Sequence, residues 1–214
     1  MESINAIPLF RELDPAYAQR VSQQCSWKSY DENALIIDYE DETTDVRFII
    51  SGRVRIILRV STGKEMILAE MSDGDYFGEI AAIDGSGRSA NVTALTRSQV
   101  CIMPRGVFLD IQQQIPEVNT AILRNFANRI RTLNTRLAEH SFLQTKHRLC
   151  CELLRLSRPR MGNPDQRSLS PPPTQKDLAS RIGSRREVVS REIACLKREG
   201  IVEKTTGSLV ILDV

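Results

Sequence analysis

Long apolar runs are missing from this 214-residue sequence. No stretch approaches the roughly 18 consecutive apolar residues that a membrane-crossing helix requires, so no membrane is expected as a partner. The opening segment, MESINAIPLFREL, lacks a basic stretch followed by an apolar one. That argues against a secretory signal and for a cytoplasmic address. Cysteine is sparse and unpatterned. Cys25, Cys101, Cys150, Cys151 and Cys195 contain no C-x-x-C pair and are odd in number, so neither a disulfide framework nor an iron–sulfur cluster has a ligand set. They read as buried or partly buried thiols of a reducing compartment. Histidine occurs only at His140 and His147, seven apart on a predicted helix, which is not metal-pair spacing, and no metal is expected. The strand-rich front of the chain has no histidine at all, so the His-and-carboxylate metal set of a cupin-type enzyme is excluded and no enzymatic activity is expected.

What is present is asymmetric. Hydrophobic residues make up 41% and charged residues 26%, ordinary for a globular protein long enough for two small domains. The net charge of +2 hides a division: residues 1–144 hold 15 Lys+Arg and 19 Asp+Glu, net −4, while residues 145–214 hold 14 and 8, net +6. A basic tail behind an acidic front suggests that the tail meets a polyanion.

Three blocks follow one another. Short alternating or apolar runs at 34–38, 46–50, 53–60, 65–71, 91–94 and 99–103 read as strands. Turn residues separate them at Ser51-Gly52, Ser61-Thr62-Gly63, Asp73-Gly74-Asp75 and Asp84-Gly85-Ser86-Gly87. This spacing predicts an antiparallel sandwich or barrel, led by a helix near 15–24. Glycine and proline then vanish over 117–143, where Leu123, Phe126, Ile130, Leu133 and Leu137 recur in a 3-4-3-4 rhythm. That is the seam of a two-stranded coiled coil, and His140 would take its next place. A narrow stripe flanked by Arg124, Arg129, Arg131 and Arg136 favours a second copy as partner over packing within one chain. The expected boundaries are a sensor domain at 1–116, a dimerisation helix at 117–143 and a third domain at 144–214.

In that third domain a helix is expected over 145–157 and an irregular connector over 158–173, rich in Pro, Ser, Arg and Gly. Two capping signatures come next. Thr174-Gln175-Lys176-Asp177 resembles a capping box, and Ser184-Arg185-Arg186-Glu187 has the full S-x-x-E form. Between them a short amphipathic helix stops at Gly183. A second helix runs to Glu199, with Gly200 in the left-handed position beyond it. A hairpin around Thr205-Thr206-Gly207 closes a winged helix-turn-helix. Its second helix offers Arg185, Arg186, Glu187, Ser190 and Arg191 to a major groove of double-stranded DNA, while Val189, Ile193 and Leu196 face inward. Arginine bonds guanine and glutamate accepts from cytosine. Arg181, Arg185, Lys197 and Lys204 are cast as phosphate contacts, Thr174 joins the DNA-contacting set, and Glu187 pairs with Arg191.

The front block carries one dense cassette, Phe77-Gly78-Glu79-Ile80-Ala81-Ala82-Ile83-Asp84-Gly85-Ser86-Gly87-Arg88-Ser89-Ala90. Its chemistry suits one phosphodiester. Gly78 permits close backbone approach, a turn after Glu79 aims free N–H groups at an anion, Arg88 supplies countercharge, and Ser89 donates a hydroxyl. Glu79 can accept from a free ribose 2′-OH.

The cassette resembles that of cyclic-nucleotide-binding domains. Together with the helix-turn-helix, the chain from about residue 8 to 212 resembles the Crp–Fnr family of bacterial transcription regulators, in its cyclic AMP receptor branch. The resemblance implies an α+β architecture: a jelly-roll-like β-barrel, a long dimerisation helix and a C-terminal winged helix-turn-helix. It implies that Gly78 and Glu79 contact the ribose and phosphate side, with Ile80 and Ala81 in the same set, that Arg88 and Ser89 hold the cyclic phosphate, and that Ala90 closes the pocket. Arg186, Glu187 and Arg191 fall on the family's base readers and imply a palindromic TGTGA-like site, with RNA polymerase as a further partner. Two positions depart. Leu133-Asn134 stand where the family's Thr-Ser pair reads adenine; Asn134 can donate and accept to a purine edge, which leaves cyclic AMP and cyclic GMP both open. Ser190 stands where the cyclic AMP branch often has glycine. Another effector, or none, is the alternative reading of the sensor, and a nucleotide-binding subunit without DNA binding is a third.

Overall fold

The computed structural model describes residues 3–59, 63 and 65–212 and divides into two compact units, Met1–Arg129 and Ile130–Val214. In the first unit, two short 3-10 turns at Ile4–Ala6 and Pro8–Phe10 precede helix α1 (Pro15–Ser22). Asp14 caps α1, its carboxylate accepting from the Tyr17 N–H at 3.0 Å, and Pro15 sits where a missing N–H is harmless. Strands β1 (Ser26–Tyr30), β2 (Leu35–Ile37), β3 (Val46–Ser51), β4 (Arg53–Arg59), β5 (Glu65–Ser72) and β6 (Tyr76–Phe77) lead to a short helix, α2 (Glu79–Asp84). Then come β7 (Asn91–Ala94), β8 (Ser98–Met103), α3 (Arg105–Gln114) and the long α4 (Pro116–Phe142).

The strands form two four-stranded antiparallel sheets, ordered β1-β8-β3-β6 and β2-β7-β4-β5. Ile36, Ile37, Val54, Val92 and Ala94 of one share a buried cluster with Tyr30, Ile49, Phe77 and Val100 of the other. The expected barrel is therefore a jelly roll of two facing sheets. The first sheet is covered on its other side as well. Val46, Phe48, Cys101 and Met103 pack with Phe10, Val21, Phe108, Ile111, Val118 and Ile122 from the flanking helices and turns. Burial on both faces is why β3 reads as an almost unbroken apolar run rather than an alternation. Arg47 is the exception in it; the buried guanidinium donates to the Asp45 carboxylate at 2.7 Å.

The second unit contains the rest of α4, then α5 (Thr145–Leu156), β9 (Arg158–Arg160), β10 (Asn163–Leu169), α6 (Gln175–Ile182), α7 (Arg186–Arg198), β11 (Val202–Thr205) and β12 (Ser208–Ile211). Leu149, Leu153, Leu178, Ile182, Val189, Ile193 and Leu196 form one core with Leu169, Val202, Leu209 and Ile211 of its sheet, ordered β11-β12-β10-β9. Helix, glycine turn, helix and hairpin make the winged helix-turn-helix. Glu152 of α5 is 1% exposed and lies among three guanidiniums: Arg136 of α4 at 3.5 Å, Arg181 of α6 at 3.6 Å, and Arg155 of its own helix.

Several expectations need correction. The 158–173 connector contains two strands: β10 pairs with β12 through Arg167↔Ile211 and Leu169↔Leu209, a partnership that no local apolar pattern announces. The 105–114 stretch, for which no element is expected, is helix α3; Val107, Phe108, Ile111 and Ile115 at helical spacing are its signal. Strands β1 and β6 escape the pattern because one is polar and the other only two residues long. Ser184 caps nothing: α7 starts one residue late, with Arg185 at the N-cap and no side-chain cap, whereas Thr174 does cap α6 by accepting from the Asp177 N–H at 3.0 Å. Arg181 is no phosphate contact, since it is buried beside Glu152. Arg191 meets its neighbour Glu192 at 3.6 Å rather than Glu187. His140 leaves the seam and lies against the Gly183 turn, where an added Cβ would come within 2.8 Å of the ring. Val60 and the Ser61-Thr62 part of the expected turn lie outside the described residues.

Phe48 sits at the centre of an aromatic group, with ring centroids at 5.0 Å from Phe10, 5.6 Å from Tyr76 and 6.5 Å from Phe108. Phe48→Ala is expected to destabilise the first unit by about 3–5 kcal/mol; urea titration followed by tryptophan fluorescence checks it, and a change under about 1 kcal/mol contradicts this packing.

Candidate functional site

The cassette lines a cavity of about 70 Å³ in the first unit. Its polar side is Gly78, Glu79, Arg88, Ser89 and Arg129, and its apolar wall includes Ile37, Ile56, Met71, Phe77 and Val92. Ile80, Ala81 and Ala90 complete the lining. Local structure explains the arrangement. Strand β6 ends at Gly78, which turns the chain at φ +85° into α2, and the segment after α2 returns to bring Arg88 beside that glycine. A Cβ on Gly78 would lie 2.6 Å from Arg88 Nη1 and 2.9 Å from the Asp45 carbonyl oxygen. The glycine is needed for the seat of the arginine as much as for any ligand.

Arg88 is 3% exposed, and protein groups meet its donors. Nε and Nη2 donate to Thr43 Oγ1 at 3.1 and 2.9 Å, and Nη1 donates to the carbonyls of Asp45 at 2.9 Å and Gly78 at 3.2 Å. Nη2 also pairs with Asp45 Oδ1 at 3.0 Å. Burial pushes the guanidinium below its ordinary pKa, and the Asp45 carboxylate opposes that shift. Glu79 is 2% exposed and forms an ion pair with Arg129 of α4. Arg129 also donates to the Tyr76 carbonyl at 3.2 Å and lies over the Tyr76 ring. Burial first, then the Glu79 carboxylate, raises the Tyr76 hydroxyl to about 12 despite Arg129, so it stays protonated.

The structure therefore brings together Gly78, Glu79, Ile80, Ala81, Arg88, Ser89 and Ala90. Asn134 is not among the lining residues; it is exposed on α4, five residues beyond Arg129. Sequence reasoning missed Thr43 and Asp45, and it read Arg129 only as a flank of the seam. The available signal was only general: an arginine inside a small domain needs a carboxylate, and the acidic run at 38–45 was one supply among several, with Asp84 and Glu79 nearer in sequence.

The second site is a surface. Arg185, Arg186, Glu187 and Arg191 are exposed at the start of α7 and Ser190 is half-buried, while Val189, Ile193 and Leu196 are buried beneath them. Thr174, Lys197 and Lys204 are also exposed. Gly183, in the left-handed conformation at φ +61°, makes the turn between α6 and α7. This is the geometry that places the N-terminal residues of a second helix in a major groove. On α4, Leu123, Ile130, Leu133 and Leu137 are 59%, 56%, 58% and 67% exposed, whereas Phe126 is partly buried against the core of the first unit. Among the described residues no cluster of three or more metal-ligating side chains exists, and no helix is long and apolar enough to cross a membrane. All five cysteines are free thiols, with Cys101 buried and the others half-buried.

Comparison with known proteins finds a family match for each domain. Residues 27–114 match the cyclic nucleotide-binding domain family, and residues 147–214 match the Crp-like helix-turn-helix domain family. The chain belongs to the Crp–Fnr family of transcription regulators. It is a DNA-binding regulator with a cyclic nucleotide-binding domain. It is 27% identical to the cAMP-activated global transcriptional regulator Vfr of Pseudomonas aeruginosa, over 99% of this chain and 98% of that one. It is 26% identical to the CRP-like cAMP-activated global transcriptional regulator of Mycobacterium tuberculosis, over 96% and 92% of the two chains. Among solved structures, the c-di-GMP responsive global regulator CLP of Xanthomonas campestris superposes with a TM-score of 0.80 at 20% identity, covering 94% of this chain and all of that one, a likeness of fold.

For this Crp–Fnr regulator, Gly78→Ala is expected to cost at least about 1–2 kcal/mol, from the positive φ alone, and to unseat Arg88. Gly87→Ala, whose added Cβ meets no atom within 4 Å, is the neutral control. Thermal unfolding of the two variants checks the contrast, and equal midpoints contradict it.

Proposed function

We propose that this regulator is gated by a cyclic nucleotide, cyclic AMP or cyclic GMP, and binds palindromic TGTGA-like duplex sites as a homodimer that works with RNA polymerase. The observation that carries the reading is the convergence of Gly78, Glu79, Arg88 and Ser89 on one cavity, with Arg129 of α4 on its wall. Arg88 and Ser89 take the cyclic phosphate, Glu79 takes the ribose hydroxyl, Ile80, Ala81 and Ala90 line the pocket, and Asn134, which is not among the lining residues of its own chain's cavity, reads the purine edge across the dimer interface. Residues 1–116 serve as sensor, 117–143 as dimerisation helix and 144–214 as DNA reader. Arg186, Glu187, Ser190 and Arg191 read bases, while Arg185, Thr174 and Lys204 hold the backbone.

The dimer follows from the exposed stripe. A second copy covers Leu123, Ile130, Leu133 and Leu137 and sets two α7 helices about 34 Å apart, one turn of duplex. Ligand binding beside Arg129 acts on the same helix that carries this stripe, and a coupling of about 1–3 kcal/mol suffices for gating. Leu133→Glu with Leu137→Glu is expected to give a monomer in sedimentation velocity; an unchanged dimer would remove the stripe as the interface.

One observation favours a second reading. Arg88 and Glu79 already have protein partners of opposite charge, as a sensor answering to another small ligand, or to none, would have. Calorimetric titration with cyclic AMP and, separately, cyclic GMP decides. Micromolar binding of either, lost in Arg88→Leu while thermal unfolding stays cooperative, supports the nucleotide reading. Binding of neither, or binding that survives Arg88→Leu, leaves the second reading.

A further inference from the structure

The phosphate end of the cavity is not an open cationic socket. An arginine has five N–H donors and no acceptor. Those of Arg88 are taken by Thr43 Oγ1, the Gly78 and Asp45 carbonyls and the Asp45 carboxylate, all within 3.2 Å. Asp45 Oδ1 thus holds an Arg88 donor that an anionic ligand oxygen would need, although Asp45 is not itself among the residues lining the cavity. The other carboxylate oxygen, Oδ2, accepts from Arg47 Nε at 2.7 Å, so one aspartate bridges two arginines. The two guanidiniums are nearly inaccessible, at 9% and 2% of their side-chain surface, while Asp45 keeps 19%. Asp45 is therefore the member of the trio that can move. It can release Arg88 and still keep a cation, Arg47, as partner.

We infer that Asp45 is the residue that sets effector selectivity in this sensor, a built-in carboxylate that competes with the ligand's phosphate for Arg88. This rests on the nucleotide reading of the pocket. The physical consequence is a threshold. An entering phosphate must replace an ion pair already made at a site largely shielded from water, and it meets the Asp45 charge as it does so. A bare anion has only its charge with which to displace the carboxylate. A cyclic nucleotide adds the burial of a purine and a ribose against Ile56, Met71 and Val92, which offsets the displacement. Asp45 thus excludes free phosphate from the sensor and weakens cyclic nucleotide binding relative to an unopposed arginine.

The test compares the full-length protein with Asp45→Asn and Asp45→Ala by calorimetry, using cyclic AMP, cyclic GMP and adenosine, which carries no phosphate. Asparagine retains an acceptor for Arg47, and thermal unfolding reports whether each variant is folded. Both variants are expected to bind the preferred cyclic nucleotide roughly tenfold more tightly, about 1.4 kcal/mol, with adenosine affinity unchanged. On the unaltered protein, hydrogen exchange of the backbone amides at 38–46 is expected to change on ligand addition. Cyclic nucleotide binding by the parent protein that is unchanged or weakened in both folded variants overturns the role of Asp45 and leaves the nucleotide reading standing. An equal gain for adenosine also overturns it, because the effect would not lie at the phosphate. Should a variant fail to fold, exchange at 38–46 that is indifferent to bound nucleotide overturns the inference alone. Absence of binding by parent and variants alike overturns both readings together.

Discussion

A guanidinium buried in a small jelly roll must have its charge and its donors answered, and much of the first unit is arranged around that demand. Arg88 sits at 3% exposure in a unit whose two sheets enclose an aliphatic and aromatic cluster. Left unpartnered there, a charge would cost several kcal/mol. The answer is assembled from separate parts of the chain: Thr43 and Asp45 before β3, and the carbonyl of Gly78 at the end of β6. Gly78 has no side chain because Arg88 fills the place a Cβ would need, and α2 begins where it does because Gly78 turns the chain. The pocket is a consequence of this arrangement, with the cassette held around a cation that the fold has already paired.

The same logic recurs at Glu79 and Glu152. Glu79 is buried and answered by Arg129, which ties the pocket to α4. Glu152 is buried in the second unit and answered by Arg136 of α4, Arg181 of α6 and Arg155 of α5. Each unit thus fastens its share of the long helix through a buried carboxylate with arginine partners. Such pairs add little net stability over apolar packing, but an arginine that moves leaves a carboxylate unpaired, which favours a small number of discrete arrangements over a continuum.

The sequence by itself determined the order of parts. Period-2 runs parted by turn residues gave most strands, and an uninterrupted 3-4-3-4 rhythm gave α4. A threonine cap, Gly183 and a basic helix gave the DNA-reading tail, because these signals depend on neighbours a few residues apart. The cassette from Phe77 to Ala90 was legible for the same reason: its chemistry is local. Tertiary structure alone decided what depends on distant partners. The connector at 158–169 became strand because β12 pairs with it. Ser184 lost its capping role because α7 begins one residue later, and Arg181 left the surface because Glu152 lies in the core beside it. Above all, whether Arg88 faces an empty socket or an aspartate was fixed by Asp45, 43 residues earlier in the chain. No spacing rule reaches that far. Pairing between buried charges is set by where the fold puts them, not by how far apart they stand along the chain.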